Sequence, residues 1–176
     1  MILTGSKIDE EVKKKRIVID PYAFDCLNPN SYNFHLGDTF VLYKNRVLDP
    51  RVEQPTFELK MNGGGLVLRP GELYLGCTQE IMGSNYYAPF IYGRSSVGRL
   101  GLFVQITAPL GDIGFSGRWT LQLTPVRPVR VYPGMRIGQI FFLKPYGKIK
   151  LYTGKYQGSN APRKSEIYKD FKKLNI

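Results

Sequence analysis

Gly93-Arg94-Ser95-Ser96-Val97-Gly98-Arg99-Leu100-Gly101-Leu102 is followed by Thr107-Ala108-Pro109-Leu110-Gly111-Asp112-Ile113-Gly114-Phe115-Ser116-Gly117 and then by Trp119-Thr120-Leu121-Gln122-Leu123. The first stretch sets two arginines around two hydroxyls and a glycine. It has too little to bury for a plain strand and too much glycine for a good helix. It offers guanidinium forks, hydroxyls and open backbone N–H groups, which together can hold phosphate. The second stretch puts Asp112 in a glycine-flanked turn. The third is a strand with one polar residue, Gln122, facing in. In this order the three read as a nucleotide pocket.

Working outward, short apolar runs alternate with turn residues. Ser6 to Lys15 reads as a helix, with Ser6 as cap and acidic residues near its positive end. Ile17-Val18-Ile19 is a short strand stopped by Asp20-Pro21. Tyr22 to Asn30 is loop with room for one helical turn, and Asn33 to Tyr43 is a strand pair or a bent strand. Asp49 to Leu59 is irregular, and Asn62-Gly63-Gly64-Gly65 reads as a hairpin turn. Strands follow at Leu66–Leu68, Leu73–Cys77, Tyr87–Tyr92, Leu102–Thr107, Trp119–Thr124, Val129–Tyr132 and Gly138–Leu143, with a terminal helix at Lys164–Leu174. About a dozen short strands with helices at the ends make the fold mainly β, a barrel or jelly-roll-like sandwich in one domain over residues 1–176.

The chain has 176 residues and a formal charge of +11. From Lys144 onward nine Lys or Arg stand against two acids. Three readings account for this: a solvated tail, a nucleic-acid contact or an anionic small ligand. Nucleic acid ranks last, because no nucleic-acid-binding module is recognisable; the ligand ranks first because Lys155-Tyr156-Gln157-Gly158 matches a motif of the family resemblance set out below. No apolar run is long enough for a membrane helix, and a charged segment directly after Met1 is not a signal-peptide pattern. The expectation is a cytoplasmic protein with Cys26 and Cys77 as reduced, buried or semi-buried thiols. Zinc nucleobase deaminases need a paired C-x-x-C and a His or Cys; here there is no C-x-x-C and one histidine, His35. A single His also excludes a Ser-His-Asp triad, and no Walker-type loop is present.

The ordered motifs resemble the dCTP deaminase family of the dUTPase-like superfamily. That family carries G-R-S-S-x-x-R-L-G, T-A-x-x-x-D-x-G-F-x-G, T-L-E-L, P-G-M-x-I-G-Q and K-Y-Q-G-Q. The counterparts here are Gly93–Gly101, Thr107–Gly117, Thr120–Leu123, Pro133–Gln139 and Lys155–Gly158. Ser31 to Gly37 is similar to the family's S-Y-D-L-R-L-G. The resemblance implies a distorted β-barrel, a homotrimer with sites at subunit interfaces, and zinc-free hydrolysis of dCTP to dUTP. It assigns Arg94, Ser95 and Ser96 to phosphates, with Ser95 also placing the attacking water. Arg99 organises the catalytic site. Asp112 meets the deoxyribose 3′-hydroxyl, and in dUTPases its equivalent is linked to the water attacking phosphorus. Ile106, Thr107 and Ala108 present backbone groups to the pyrimidine. Gln139 and Ser159 fall in substrate-binding motifs. Lys155 and Tyr156, with Tyr152 as a third contact, reach the triphosphate from a C-terminal segment, about 150–176, that closes over it. Mg²⁺ arrives with the nucleotide and needs no protein cage.

Gln122 stands where the family has its general acid–base Glu. A carboxylate can take a proton from water and return it to the base; an amide cannot. Asn33, His35, Pro125 and Ser159 also depart from the family pattern, and His35 reads as a structural or surface residue. Three functions therefore stand side by side: a deaminase weakened at position 122, a dUTPase-type or dCTP diphosphohydrolase using Asp112 and Mg²⁺, and a non-catalytic nucleotide-binding regulator.

Overall fold

A computed structural model describes residues 1–105 and 107–174. Its elements are α1 (Gly5–Lys13), β1 (Ile17–Asp20), a 3₁₀ turn (Phe24–Cys26), β2 (Tyr32–His35), β3 (Thr39–Tyr43), β4 (Thr56–Lys60) and β5 (Leu66–Leu68). They continue with β6 (Tyr74–Ser84), β7 (Ala88–Gly93), α2 (Ser95–Gly98), β8 (Leu102–Phe103), β9 (Ser116–Pro125), β10 (Val129–Val131), β11 (Arg136–Leu143) and α3 (Tyr168–Leu174).

The mainly β class and the terminal helices are as expected. The strands divide among antiparallel sheets of six (β4-β3-β6-β9-β8, with β1 on β6), three (β2-β11-β7) and two (β10-β5), and among the described residues they form no closed barrel. Tyr32, Phe34, Phe40, Ile91, Leu121, Ile140 and Phe142 are fully buried between them.

The long β6–β9 pair forms the spine of the site. Its register breaks between Cys77 and Ile81. The buried Thr78 hydroxyl repairs the break, accepting from Trp119 N–H at 2.9 Å and donating to Glu80 O at 2.7 Å. Such a bulge leaves backbone groups unpaired, and a buried unpaired group is costly. The Trp119 indole N–H donates to Met82 O at 3.0 Å, locking the ring across the same two strands.

Several local expectations are corrected. α1 begins at Gly5, and its N-cap is Thr4 rather than Ser6. The Asn62–Gly65 turn forms, with Gly65 N–H donating to Asn62 O, but it joins no hairpin: β4 pairs β3 while β5 pairs β10. Strand pairing beyond Leu102 stops at Phe103. The basic stretch contains one helical turn, α2, despite its glycines. Propensity is overruled there by tertiary anchoring, because Val97 is buried while Ser95, Ser96 and Arg99 face outward. His35 is structural, as expected: its Nδ1 lies 2.5 Å from Oε1 of the buried Glu80, which also accepts from the His35 backbone N–H.

Candidate functional site

On β9 the burial pattern alternates strictly. Trp119, Leu121 and Leu123 turn toward the core, so Arg118, Thr120 and Gln122 share the opposite face. That face floors a cavity of about 440 Å³. Leu73 and Leu75 flank it from the β6 side, and Tyr43 comes from β3.

Two further segments complete the walls. The first is the 105–115 loop. The Gln105 side chain braces it, donating to Ala108 O at 2.9 Å and accepting from the Gln122 backbone N–H at 3.3 Å. Gly111 N–H donates to Pro89 O and Gly114 N–H to Ser84 O, which carries Asp112 to the cavity rim. The loop can lie this close only because Gly111 has no side chain, since a Cβ there would fall 1.9 Å from a Trp119 ring carbon. Gly111→Ala should therefore destabilise the fold by about 1–3 kcal/mol through overpacking. A lower urea midpoint at unchanged slope would show it; an unchanged midpoint would mean the loop does not depend on this contact.

The second segment is the chain after Gly154, which runs along β9. Gly158 N–H donates to Ser116 O, Arg118 N–H to Ser159 O, and Arg163 N–H to the Thr120 hydroxyl. Tyr152, Tyr156 and Ser159 thereby line the cavity. Tyr152 is held by its N–H on Ile113 O and by edge contact with Phe115, while the Tyr156 hydroxyl accepts from Glu166 N–H at 2.9 Å.

The expected site residues thus separate into two groups. Ala108, Asp112, Gln122, Tyr152, Tyr156 and Ser159 meet at one cavity, with Thr107 Oγ1 3.5 Å from Gln122 Oε1. The others do not line it. Arg94 reaches Arg136 O, while Ser95, Ser96 and Arg99 stand on the outer side of α2. Gln139 accepts from the Ser31 hydroxyl. Lys155 pairs with Asp170 at 2.7 Å and reaches Glu166 O, tethering α3. Ile106 lies outside the described residues. Gln105, Arg118 and Thr120 were not singled out from the sequence. Once Gln122 is taken to face inward, strand alternation marks Thr120 and Arg118; nothing local marks Gln105.

This is a mainly β domain with a half-enclosed cavity, apolar with polar groups set into it, built on a central strand and roofed by its own C-terminal segment. The profile of the dCTP deaminase-like family matches residues 2–144, and the chain belongs to that family. It is 45% identical over 98% of its length to a protein of Clostridium beijerinckii named "dCTP deaminase, dUMP-forming", covering 100% of that protein. The proteins of the same name from Cytophaga hutchinsonii and Leptospira biflexa are 47% and 45% identical, each over 98% of this chain and over 100% and 99% of their own. The crystal structure of 2′-deoxycytidine 5′-triphosphate deaminase from Agrobacterium tumefaciens matches with a TM-score of 0.64 at 21% identity, over 80% of this chain and 47% of that one. The latter likeness is one of fold.

Proposed function

We propose that the cavity takes a pyrimidine deoxynucleoside triphosphate and that the chain releases pyrophosphate from it, leaving the monophosphate, with deamination at the base suppressed by Gln122. The carrying observation is the convergence on one cavity of Ala108, Asp112, Gln122 and the Tyr152–Tyr156–Ser159 segment, residues remote in sequence. The relatives' names support the pyrophosphate-releasing half of this chemistry. Forming dUMP from dCTP takes two hydrolyses, one releasing ammonia and one releasing pyrophosphate. Their named product is dUMP, which replaces the dUTP end product implied by resemblance alone.

The two hydrolyses make different demands at position 122. Deamination needs a group that accepts and returns protons beside the pyrimidine. Pyrophosphate release needs a water at the α-phosphorus, a proton acceptor and stabilised phosphate oxygens. The water oxygen bonds to the α-phosphorus, the bond to the bridging oxygen breaks, and pyrophosphate leaves with the electron pair. Asp112 is the only carboxylate among the cavity's lining residues. In this reading it accepts the sugar hydroxyl's hydrogen bond and the proton of the attacking water.

Magnesium would bring charge neutralisation at the phosphate oxygens. The Asp112 carboxylate at the cavity rim is an oxygen ligand of the kind that would meet an ion carried in by the nucleotide.

α2 has its place in a neighbouring copy's site. Ser95, Ser96 and Arg99 make no side-chain hydrogen bond or ion pair among the described residues. β7, which leads into α2, exposes Tyr92 beside an aromatic row of Phe90 and Phe141. An outward basic turn next to an apolar face suits a homo-oligomer in which one subunit completes another's phosphate site.

The test is incubation with dUTP and with dCTP in the presence of Mg²⁺, resolving products by chromatography. Nucleoside monophosphate and pyrophosphate are expected, with little ammonia from dCTP. Absence of pyrophosphate from both substrates would sink the reading.

A further inference from the structure

A triphosphate needs cationic partners, and the cavity's own cations differ in availability. Arg118, Arg163 and Lys164 line it. The Arg163 guanidinium lies 2.5 Å from Glu166 Oε1, and Lys164 Nζ lies 2.7 Å from Glu53 Oε1. Arg94 and Lys155, expected at the phosphates, are outside the cavity, and Lys155 is paired with Asp170. Arg118 has no carboxylate partner among the described residues, although it is half-buried and its strand is hydrogen-bonded on both sides. A half-buried guanidinium without a counter-ion is partly desolvated with nothing to offset it, and an anionic ligand would supply the missing charge. Its hydrogen-bonding neighbour Cys77 does not cancel that charge: burial pushes the Cys77 thiol up to about 11, against the opposing pull of Arg118, so the partner is a neutral thiol at neutral pH.

Position adds to the charge argument. Gln122 sits where β9 meets Gln105 and Thr107, the end assigned to the base. Arg118 lies four residues back on the same face, roughly 13 Å away at about 3.3 Å per residue. There the C-terminal segment closes the cavity through Ser159 and Arg163. We infer that Arg118 binds the terminal phosphates of the nucleotide from the cavity's own floor, alongside the neighbouring copy's α2, so that part of the preference for triphosphate over monophosphate resides in this residue. The inference rests on the nucleotide reading above and adds a residue that neither the resemblance nor the comparisons assign.

The experiment compares binding of a non-hydrolysable α,β-imido analogue of dUTP with binding of dUMP, by calorimetry in Mg²⁺, for the parent, Arg118→Gln and Arg118→Lys. A charge-assisted phosphate contact predicts that the triphosphate-to-monophosphate affinity ratio falls by about ten- to hundred-fold in Arg118→Gln. Arg118→Lys should retain part of it, because a point charge remains without the planar fork. dUMP affinity should barely change, which separates phosphate contact from a distorted pocket. If the parent prefers triphosphate and Arg118→Gln prefers it equally, the assignment of Arg118 is overturned and the nucleotide reading stands. If the parent binds both probes equally, Arg118 does not read the phosphates and the assignment falls. If the parent binds neither, the nucleotide reading falls and takes the assignment with it.

Discussion

Gln122→Glu should release ammonia from dCTP about 10²–10⁴-fold faster than the parent chain, the usual contribution of a positioned general acid–base. The substitution keeps volume and leaves the cavity face of β9 intact, since position 122 alternates with the buried Leu121 and Leu123 rather than sharing their side. The surroundings also favour proton transfer by a carboxylate. Position 122 is half-buried in a cavity that Leu73 and Leu75 help to line, and partial burial raises a carboxyl pKa toward neutrality. The Thr107 hydroxyl, 3.5 Å from the present amide oxygen, would donate to the new carboxylate. Coupled enzymatic detection of ammonia, alongside chromatography of the nucleotide, measures the gain. Gln122→Ala is the control and should gain nothing. A Glu variant that binds dCTP yet releases no more ammonia than the parent would mean that the missing group is not at position 122.

Asp112→Asn should slow pyrophosphate release by a similar factor, about 10²–10⁴-fold, with a small effect on folding. Asp112 is exposed at a turn where Phe115 N–H donates to its backbone carbonyl, and that bond is unaffected by the side-chain change. Surface changes of this kind usually stay within about 0.5 kcal/mol. The amide can still accept a hydrogen bond from a sugar hydroxyl but cannot take a proton from water. Turnover should therefore fall more than substrate affinity, read as a loss in kcat at nearly constant KM. Equal pyrophosphate release by the two proteins would leave the hydrolytic reading without its proton acceptor. The two substitutions act on opposite ends of one reaction sequence, so the double variant should deaminate without releasing pyrophosphate.

Much of the site was legible in the sequence because its chemistry sits in contiguous motifs. Asp112 lies in a glycine-rich turn, Gln122 is flanked by two leucines in a strand-like run, and Tyr152, Tyr156 and Ser159 fall within eight residues of each other. Secondary structure was legible where turn residues bracket apolar runs, as at Leu66–Leu68 and Val129–Val131. It was misread where tertiary contacts overrule local preference. The α2 turn exists because Val97 has a buried site to fill, and past Phe103 one backbone contact remains, Gln122 N–H to Val104 O, before Gln105 turns its side chain to Ala108 and Gln122.

The sequence by itself determined the mainly β class, the family and the presence of an amide rather than a carboxylate at position 122. Each of these depends on residue identity and order, which are local. Only the tertiary structure decided which cations meet the cavity. Lys155 and Arg94 carry the right charge in the right motifs, yet one tethers α3 and the other reaches Arg136 O, while the unheralded Arg118 stands on the cavity floor without a carboxylate partner among the described residues. The physical reason is that a long cationic side chain is placed by the acids and carbonyls that the fold brings within reach, and those partners lie far away in sequence.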